Sequence, residues 1–548
     1  MDRSRCRRLS AQVLAGLAGS VVTALAASGA IEPILYTDGP IPGVANATIW
    51  PSGLYRPAFS PNKQQWAIRA NRTSANDDEY IIRGSGTSGT AIIHGNGTAV
   101  ANPAGITTVY FISERGLSIN DSGDIALSGS TVARATTDTI WRLQPSALQI
   151  VARELDPAYL QPTAGQGQFR TDIGGPSMAN SGEVAFGMSD TRSESTDRDA
   201  AFVWNGVVNT YTELFAEGAS FPNNPELAGR FLEDINTAEA NAVRNGFFFF
   251  RDNVGDAPVL GIFGDTTGTT TDDKLLAKQV GSDLQTVYRE GTTVDGLFLN
   301  STTSVVGWLD AAGNEYAVSG GALGTTPATM FALINQEVVA NIGEPVGGSV
   351  ANENWSNLNS TILLSSVFAL DRNSAGGYVV GANTDNADLT RNQVVIYVDP
   401  QGVRHELLRK GDTVTVNVGG TDVVRTIDQF AQQDASFAFT LTDTHLYFLC
   451  TVTRGDVPST VSGDVFARIA LPASGPLCDS LDFNNDGSSF DPQDIEAFLS
   501  VFSEGPCLPE TATCNDIDFN NDGSTFDPCD IASFLTVFSE GPCTLCGE

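Results

Sequence analysis

The feature that most restricts what this chain can fold into is a unit of about fifty residues that recurs in order between Ile31 and Pro472. Each unit opens on a turn of Asn, Asp, Ser and Gly followed by an apolar strand, as in Ser118-Ile-Asn-Asp-Ser-Gly-Asp-Ile-Ala-Leu. A strand with a central aromatic comes next (Asp138-Thr-Ile-Trp-Arg), and then a last strand, Ile150-Val-Ala-Arg-Glu-Leu-Asp-Pro. The pattern returns from Met178, Leu309 and Leu370, and more weakly near Pro57, Leu232 and Phe437. Apolar or alternating runs of strand length, bounded by turn residues and without helical periodicity, predict an all-β body. About seven units of roughly four strands match propeller blades, with an open solenoid or paired sandwiches as the other arrangements. The last unit stops at Arg468-Ile-Ala-Leu without its final strand, and Ile34-Leu-Tyr-Thr-Asp-Gly near the other end reads as the missing one. A closed ring leaves no open sheet edge, which favours a β-propeller whose N-terminal strand completes the last blade.

The end of the chain obeys a different rule. Leu481-Asp-Phe-Asn-Asn-Asp-Gly begins a stretch that returns almost unchanged from Ile517. Asp482, Asn484 and Asp486 stand at alternate positions, Gly487 follows where the chain must turn sharply, and Ser488 offers its backbone carbonyl; this is the spacing of a calcium loop. The final carboxylate arrives one residue late, as Asp494. Asp491 and Asp494 still keep the spacing of helix cap and third helical residue, with Pro492 between them at the first position. The second copy supplies Asp518, Asn520, Asp522, Ser524, Asp527 and Asp530. After each loop an apolar stripe follows at helical spacing: Ile495, Phe498, Leu499 and Phe502, then Ile531, Phe534, Leu535 and Phe538. Neither stripe can be buried alone, so the two helices are expected to pack face to face around two calcium ions. No Lys or Arg occurs after Arg468, and divalent cations would offset the accumulating negative charge.

A duplicated calcium loop that lacks its first helix resembles a dockerin, here in the cysteine-flanked form of exported planctomycete-type proteins. The resemblance covers about residues 476–548 and implies a docking partner, a cohesin-like or other cell-envelope protein. The body units are similar to the NDSG…IW…GD repeats of exported bacterial proteins of unknown role.

Three segments follow: a signal peptide over 1–30, a propeller-like body over 31–472, and a small α domain of two calcium loop–helix repeats over 473–548. Basic residues Arg3 to Arg8 precede an apolar stretch and small residues ending near Ala30, which reads as an export signal. The expected location is extracellular or at the cell surface, with the periplasm as an alternative, and no transmembrane segment is expected in the mature chain. Six of the 8 cysteines lie in the tail. Many pairings are open to them, and repeat symmetry selects Cys478–Cys507, Cys514–Cys543 and Cys529–Cys546. Cys450, in an apolar run, is expected to be buried and unpaired.

The body shows no recognisable catalytic motif. His94, His405 and His445 are isolated, and no nucleophile elbow, HExxH, P-loop or dinucleotide fingerprint occurs. Trp141 and Trp204 occupy matched positions and should pack in the core. Trp50, Trp66, Trp308 and Trp355 fall outside that register and could line a ligand surface. A net charge of −34 argues against nucleic acid and anionic membranes as partners. The expected function is a non-catalytic exported propeller, with a possible glycan ligand, tethered by its tail. The alternative is an extracellular polysaccharide-active hydrolase or lyase carried on the same tether.

Overall fold

The computed structural model describes residues 30–153, 176–234, 250–356 and 367–472, apart from short stretches such as 73–78, 252–258, 267–273, 300–305, 323–328, 431–437 and 455–461. In the tail it describes 482–485, 492–503, 505–509, 519 and 528–538. The expected signal peptide lies outside these residues. The chain divides between Leu471 and Pro472 into two compact units.

The body is built of antiparallel sheets. Among the described residues, seven sheets of four to six strands and one two-stranded hairpin follow one another along the chain. In the third sheet, Ser177–Met178, Val184–Ser193, Thr196–Asn205 and Thr210–Ala216 pair in chain order. This meander in successive sheets is the propeller-like arrangement that the repeat predicts. The equivalence runs deeper than strand count. In six sheets the pairing of the last two strands carries a register shift, at Ile81/Ile82, Ile150/Ala152, Ala201/Phe202, Leu276/Ala277, Ala332/Leu333 and Val395/Ile396. Such bulges increase the local twist.

The repeated turn has one geometry. The fourth residue donates its amide to the first carbonyl: Gly123 to Asn120 at 2.9 Å, Gly182 to Ala179 at 3.0 Å, Gly313 to Asp310 at 3.0 Å and Gly376 to Asn373 at 3.3 Å. That fourth residue has φ of +80°, +84°, +84° and +95°, which glycine adopts without steric cost. The turn of the first sheet keeps the geometry but places Lys63 there, with φ +57°. A side chain in that region costs roughly 1–2 kcal/mol.

The two ends of the body share one sheet. Strand Glu32–Tyr36 pairs antiparallel with Ser462–Ala470, which pairs in turn with His445–Thr453. The orphan strand of the sequence therefore completes the last sheet. Leu35, Trp66, Leu449 and Phe466 form a common core between the first and last sheets. The hairpin Thr413–Val418 and Thr421–Gln429 extends this sheet further, an addition the repeat did not foretell.

In the tail, helix α1 spans Pro492–Phe502 and helix α2 spans Pro528–Phe538. Proline begins each, where its missing N–H is no loss. The Gly505 amide donates to the Ser500 carbonyl at 2.8 Å and ends α1. Phe483, Phe498, Phe519 and Phe534 form the buried centre. Leu499 and Leu535 depart from the expected stripe, at 51% and 53% exposure. Two short helices meeting along one phenylalanine seam cannot cover their i+4 positions as well.

Candidate functional site

Helix α1 begins beside its own loop because Asp494 draws the two together. Its carboxylate Oδ1 accepts the Phe483 amide at 2.9 Å and faces that of Asn484 at 3.5 Å. Asp494 and Asn484 are buried, Asp482 is half-buried, and the Asn485 amide donates to the Asp482 carbonyl at 3.3 Å. Asn485 takes φ +54°, a conformation that asparagine tolerates better than most residues. In the second copy Asp530 is buried at the matching helical position. Asp486, Ser488, Asp491, Asp518, Asn520, Asp522, Ser524 and Asp527 lie outside the described residues, and among those described no cluster of three or more metal-binding side chains is gathered. Of the first loop, the structure thus describes Asp482, Asn484 and a buried carboxylate, Asp494, that is bonded to the Phe483 amide. Cys507 is disulfide-bonded, while its expected partner Cys478 lies outside the described residues. Cys450 is buried with a free thiol, and burial raises its pKa.

In the body, polar side chains gather where the repeated turns meet. Asn62 donates its amide to Asp121 Oδ1 at 2.9 Å, and Asp121 donates its own to Asn180 Oδ1 at 2.9 Å. The first-position Asn120 reaches the Ala179 carbonyl at 3.3 Å. Later in the chain Ser374 donates its amide to Asp443 Oδ1 at 3.0 Å, and Asn373 reaches the Thr442 carbonyl at 3.4 Å. Three pairs of turns are thus latched, through the third residue Asn62 in the first pair and through the first two residues, Asn120 with Asp121 and Asn373 with Ser374, in the others, a role that sequence reasoning missed. The recurrence of Asn-Asp and Asn-Ser at those positions was the available signal.

One latch differs. Lys63 Nζ donates to Asp371 Oδ2 at 3.0 Å and to the carbonyls of Arg372 at 2.6 Å and Leu441 at 3.0 Å. Asp371 also accepts the Leu441 amide at 2.7 Å, while the Tyr316 hydroxyl donates to Asp310 Oδ2 at 2.7 Å and lies 3.3 Å from Asp371 Oδ1. These groups come from the first, fifth, sixth and last sheets. Their polar atoms are spent on one another, an arrangement that holds elements together.

The remaining candidates sort by burial. Trp141 and Trp204 are fully buried, as their matched positions predict. Trp66 and Trp355, expected as possible ligand surfaces, are buried too, at 1% and 3% exposure. The Trp66 ring lies across Gly84 and Gly89, where an added Cβ would stand 2.2 and 2.5 Å from it. Trp50 is exposed, and the Trp308 side chain lies outside those described. His405 faces Asp399 at 3.1 Å, and His445 faces Thr444 at 2.9 Å with its pKa lowered by burial and by Arg468. A shallow cavity of about 290 Å³ is lined by Gln65, Arg83, Ser85, Ser88 and Thr90.

No helix among the described residues is long and apolar enough to cross a membrane. No curated protein matches the chain. Among solved structures, an oligogalacturonate lyase from Vibrio parahaemolyticus is 9% identical with a TM-score of 0.38, covering 82% of this chain and 100% of that one. An oligogalacturonate lyase in complex with manganese is 11% identical with a TM-score of 0.37, covering 82% and 99%. The β-propeller domain of the Trilobed protease from Pyrococcus furiosus is 11% identical with a TM-score of 0.35, covering 66% and 85%. Likenesses this remote say nothing of the chemistry of this chain. The model of a family of unknown function (DUF7453) matches residues 39–440, well over half of the chain and nearly all of the latched repeats. By that match, the protein is a member of the DUF7453 family.

Proposed function

We propose that this protein is an exported, non-catalytic propeller of seven blades, attached to a cell-surface or extracellular assembly by a calcium-folded, dockerin-like tail. The observation that carries the reading is the Asp494 carboxylate, buried at the third helical position and bound to the Phe483 amide at 2.9 Å. It brings the helix start onto the loop start, which a closing calcium ligand must do. Asp482, Asn484, Asp486, the Ser488 carbonyl, Asp491 and Asp494 would hold one ion. Asp518, Asn520, Asp522, the Ser524 carbonyl, Asp527 and Asp530 would hold the other. Calcium supplies positive charge to loops without a single basic residue, and so orders them.

The docking surface in this reading includes Leu499 and Leu535, the exposed leucines at equivalent positions of α1 and α2. A cohesin-like or other cell-envelope protein is the proposed partner. The disulfides Cys478–Cys507, Cys514–Cys543 and Cys529–Cys546 would brace the tail.

Calorimetric titration of the full chain with calcium tests the tail. Two ions should bind, and binding should be lost in the Asp482→Asn, Asp518→Asn variant; no heat at millimolar calcium overturns the reading. Chelator-sensitive retention on a cell-envelope fraction tests attachment. Turnover of a glycan panel would replace the non-catalytic body with the polysaccharide-active alternative.

A further inference from the structure

We propose that the shallow cavity on the first sheet binds a sugar acid, a uronate whose carboxylate meets the guanidinium of Arg83. The inference is independent of the tail and gives the body a ligand.

The site is built by strand register. Glu79–Ser85 and Ser88–His94 form a hairpin in which Arg83 stands opposite Thr90 and Ser85 opposite Ser88. Opposite residues point to the same side of a sheet, and so do alternate ones, so a guanidinium and three hydroxyls share one face. Ser85, Ser88 and Thr90 are exposed and Arg83 is half-buried. The cavity they line with Gln65 holds about 290 Å³. That is the lower limit of small-molecule sites, roughly 300 Å³, and suits a single sugar unit.

The second sheet shows what the first lacks. There the Asn120 amide donates to the Asp124 carbonyl at 3.0 Å, and two residues on, Ala126 pairs with Arg142. In the first sheet the Ser60 amide donates to the Gln65 carbonyl at 3.0 Å, and two residues on, Ala67 pairs with Arg83. Arg83 and Arg142 are therefore equivalent, as are Gln65 and Asp124. Arg142 is neutralised by Asp124 at 2.6 Å. Arg83 has a neutral amide in that place and faces no carboxylate among the described residues, in a chain of 64 acidic and 30 basic residues.

Both side chains are held from the second sheet. Arg83 Nη1 donates to the Gly123 carbonyl at 2.7 Å, and Gln65 Nε2 donates to the Asp121 carbonyl at 2.6 Å. A Cβ on Gly123 would stand 2.8 Å from Gln65 Oε1 and 3.0 Å from Arg83 Nη1, so the two atoms border one point. The groups left over define the ligand. The remaining guanidinium N–H groups match a carboxylate. Gln65 Oε1 accepts no hydrogen bond from a described residue and needs a donor, while the three hydroxyls both donate and accept. An anion that also carries hydroxyl groups satisfies all of them. A sugar acid is such an anion, whereas sulfate only accepts.

Titration of the full chain with glucuronate and galacturonate, and with glucose, galactose and sodium sulfate for comparison, tests the site. At least one uronate should bind about tenfold more tightly than its neutral counterpart. Arg83→Gln should remove that preference. Gln65→Glu, which supplies the carboxylate that Asp124 gives Arg142, should abolish uronate binding with an unchanged circular dichroism spectrum; this variant decides should Arg83→Gln fail to fold. Sulfate binding as tight as that of the uronates, uronate affinity untouched by either variant, or no uronate binding at roughly ten millimolar overturns the proposal.

Discussion

The rings of Phe498 and Phe534 lie face to face, 4.1 Å between centroids and 3° from parallel. Phe483 meets the first edge-on at 5.2 Å and Phe519 meets the second at 5.1 Å, so each loop contributes a ring to a seam shared by both helices. The two halves of the tail have no separate cores. Phe498→Ala should therefore cost about 3–5 kcal/mol and loosen α2 as much as α1. Hydrogen exchange in the full chain checks this: protection retained over Pro528–Phe538 would contradict it.

Arg425 is wholly buried and donates to the Thr37 carbonyl at 2.9 Å and to Asp38 Oδ2 at 3.2 Å, from the segment that follows the N-terminal strand. Arg425→Ala would leave Asp38 with one fewer partner and open a void over the joined ends. The expected loss is about 3–5 kcal/mol, and Arg425→Met, which keeps the stem, should lose less. Urea midpoints at constant slope measure both.

Asp464 sits between the same two ends, its Oδ2 accepting the Leu54 amide at 3.3 Å. Burial pushes its pKa up to about 6 from 3.8, against the pull of that bond. A carboxyl raised in the folded state contributes stability that is complete below pH 3.8 and is lost as pH rises through 6. Asp464→Asn, which keeps an acceptor for Leu54, should thus stabilise the body by roughly 3 kcal/mol at pH 8 and very little near pH 4. Melting temperatures across that window test it, and an equal effect at both ends would refute it.

Gly84 is required by the neighbouring ring and not by its backbone angles. A Cβ there would stand 2.2 Å from Trp66 Cζ2 and 2.1 Å from the Ser88 carbonyl. Gly84→Ala should cost about 1–3 kcal/mol and shift Trp66 toward a more polar setting, visible as altered fluorescence. Gly402→Ala, where no atom lies within 4 Å but φ is +85°, separates overpacking from backbone strain.

Much of the body was legible because its signals are local. Asn120-Asp-Ser-Gly123 announces a turn through φ demands met within four residues, and the strands of Val184 and Ala201 announce themselves by apolar runs bounded by such turns. The hairpin of Thr413–Val418 and Thr421–Gln429 also carries a local signal, alternation around Gly419-Gly420, but it lies outside the repeat.

Chain order alone determined the strands, the repeated turns, the missing strand supplied from Ile34, and the spacing that sets Asp494 on the first turn of α1. Packing decided the rest. Trp66 and Trp355 were buried, Leu499 and Leu535 were turned outward, and Lys63 found Asp371 some three hundred residues away. The reason is one of range: backbone preferences are settled by near neighbours, whereas the partner of a side chain depends on which sheets meet, and that is defined only when the whole array has closed.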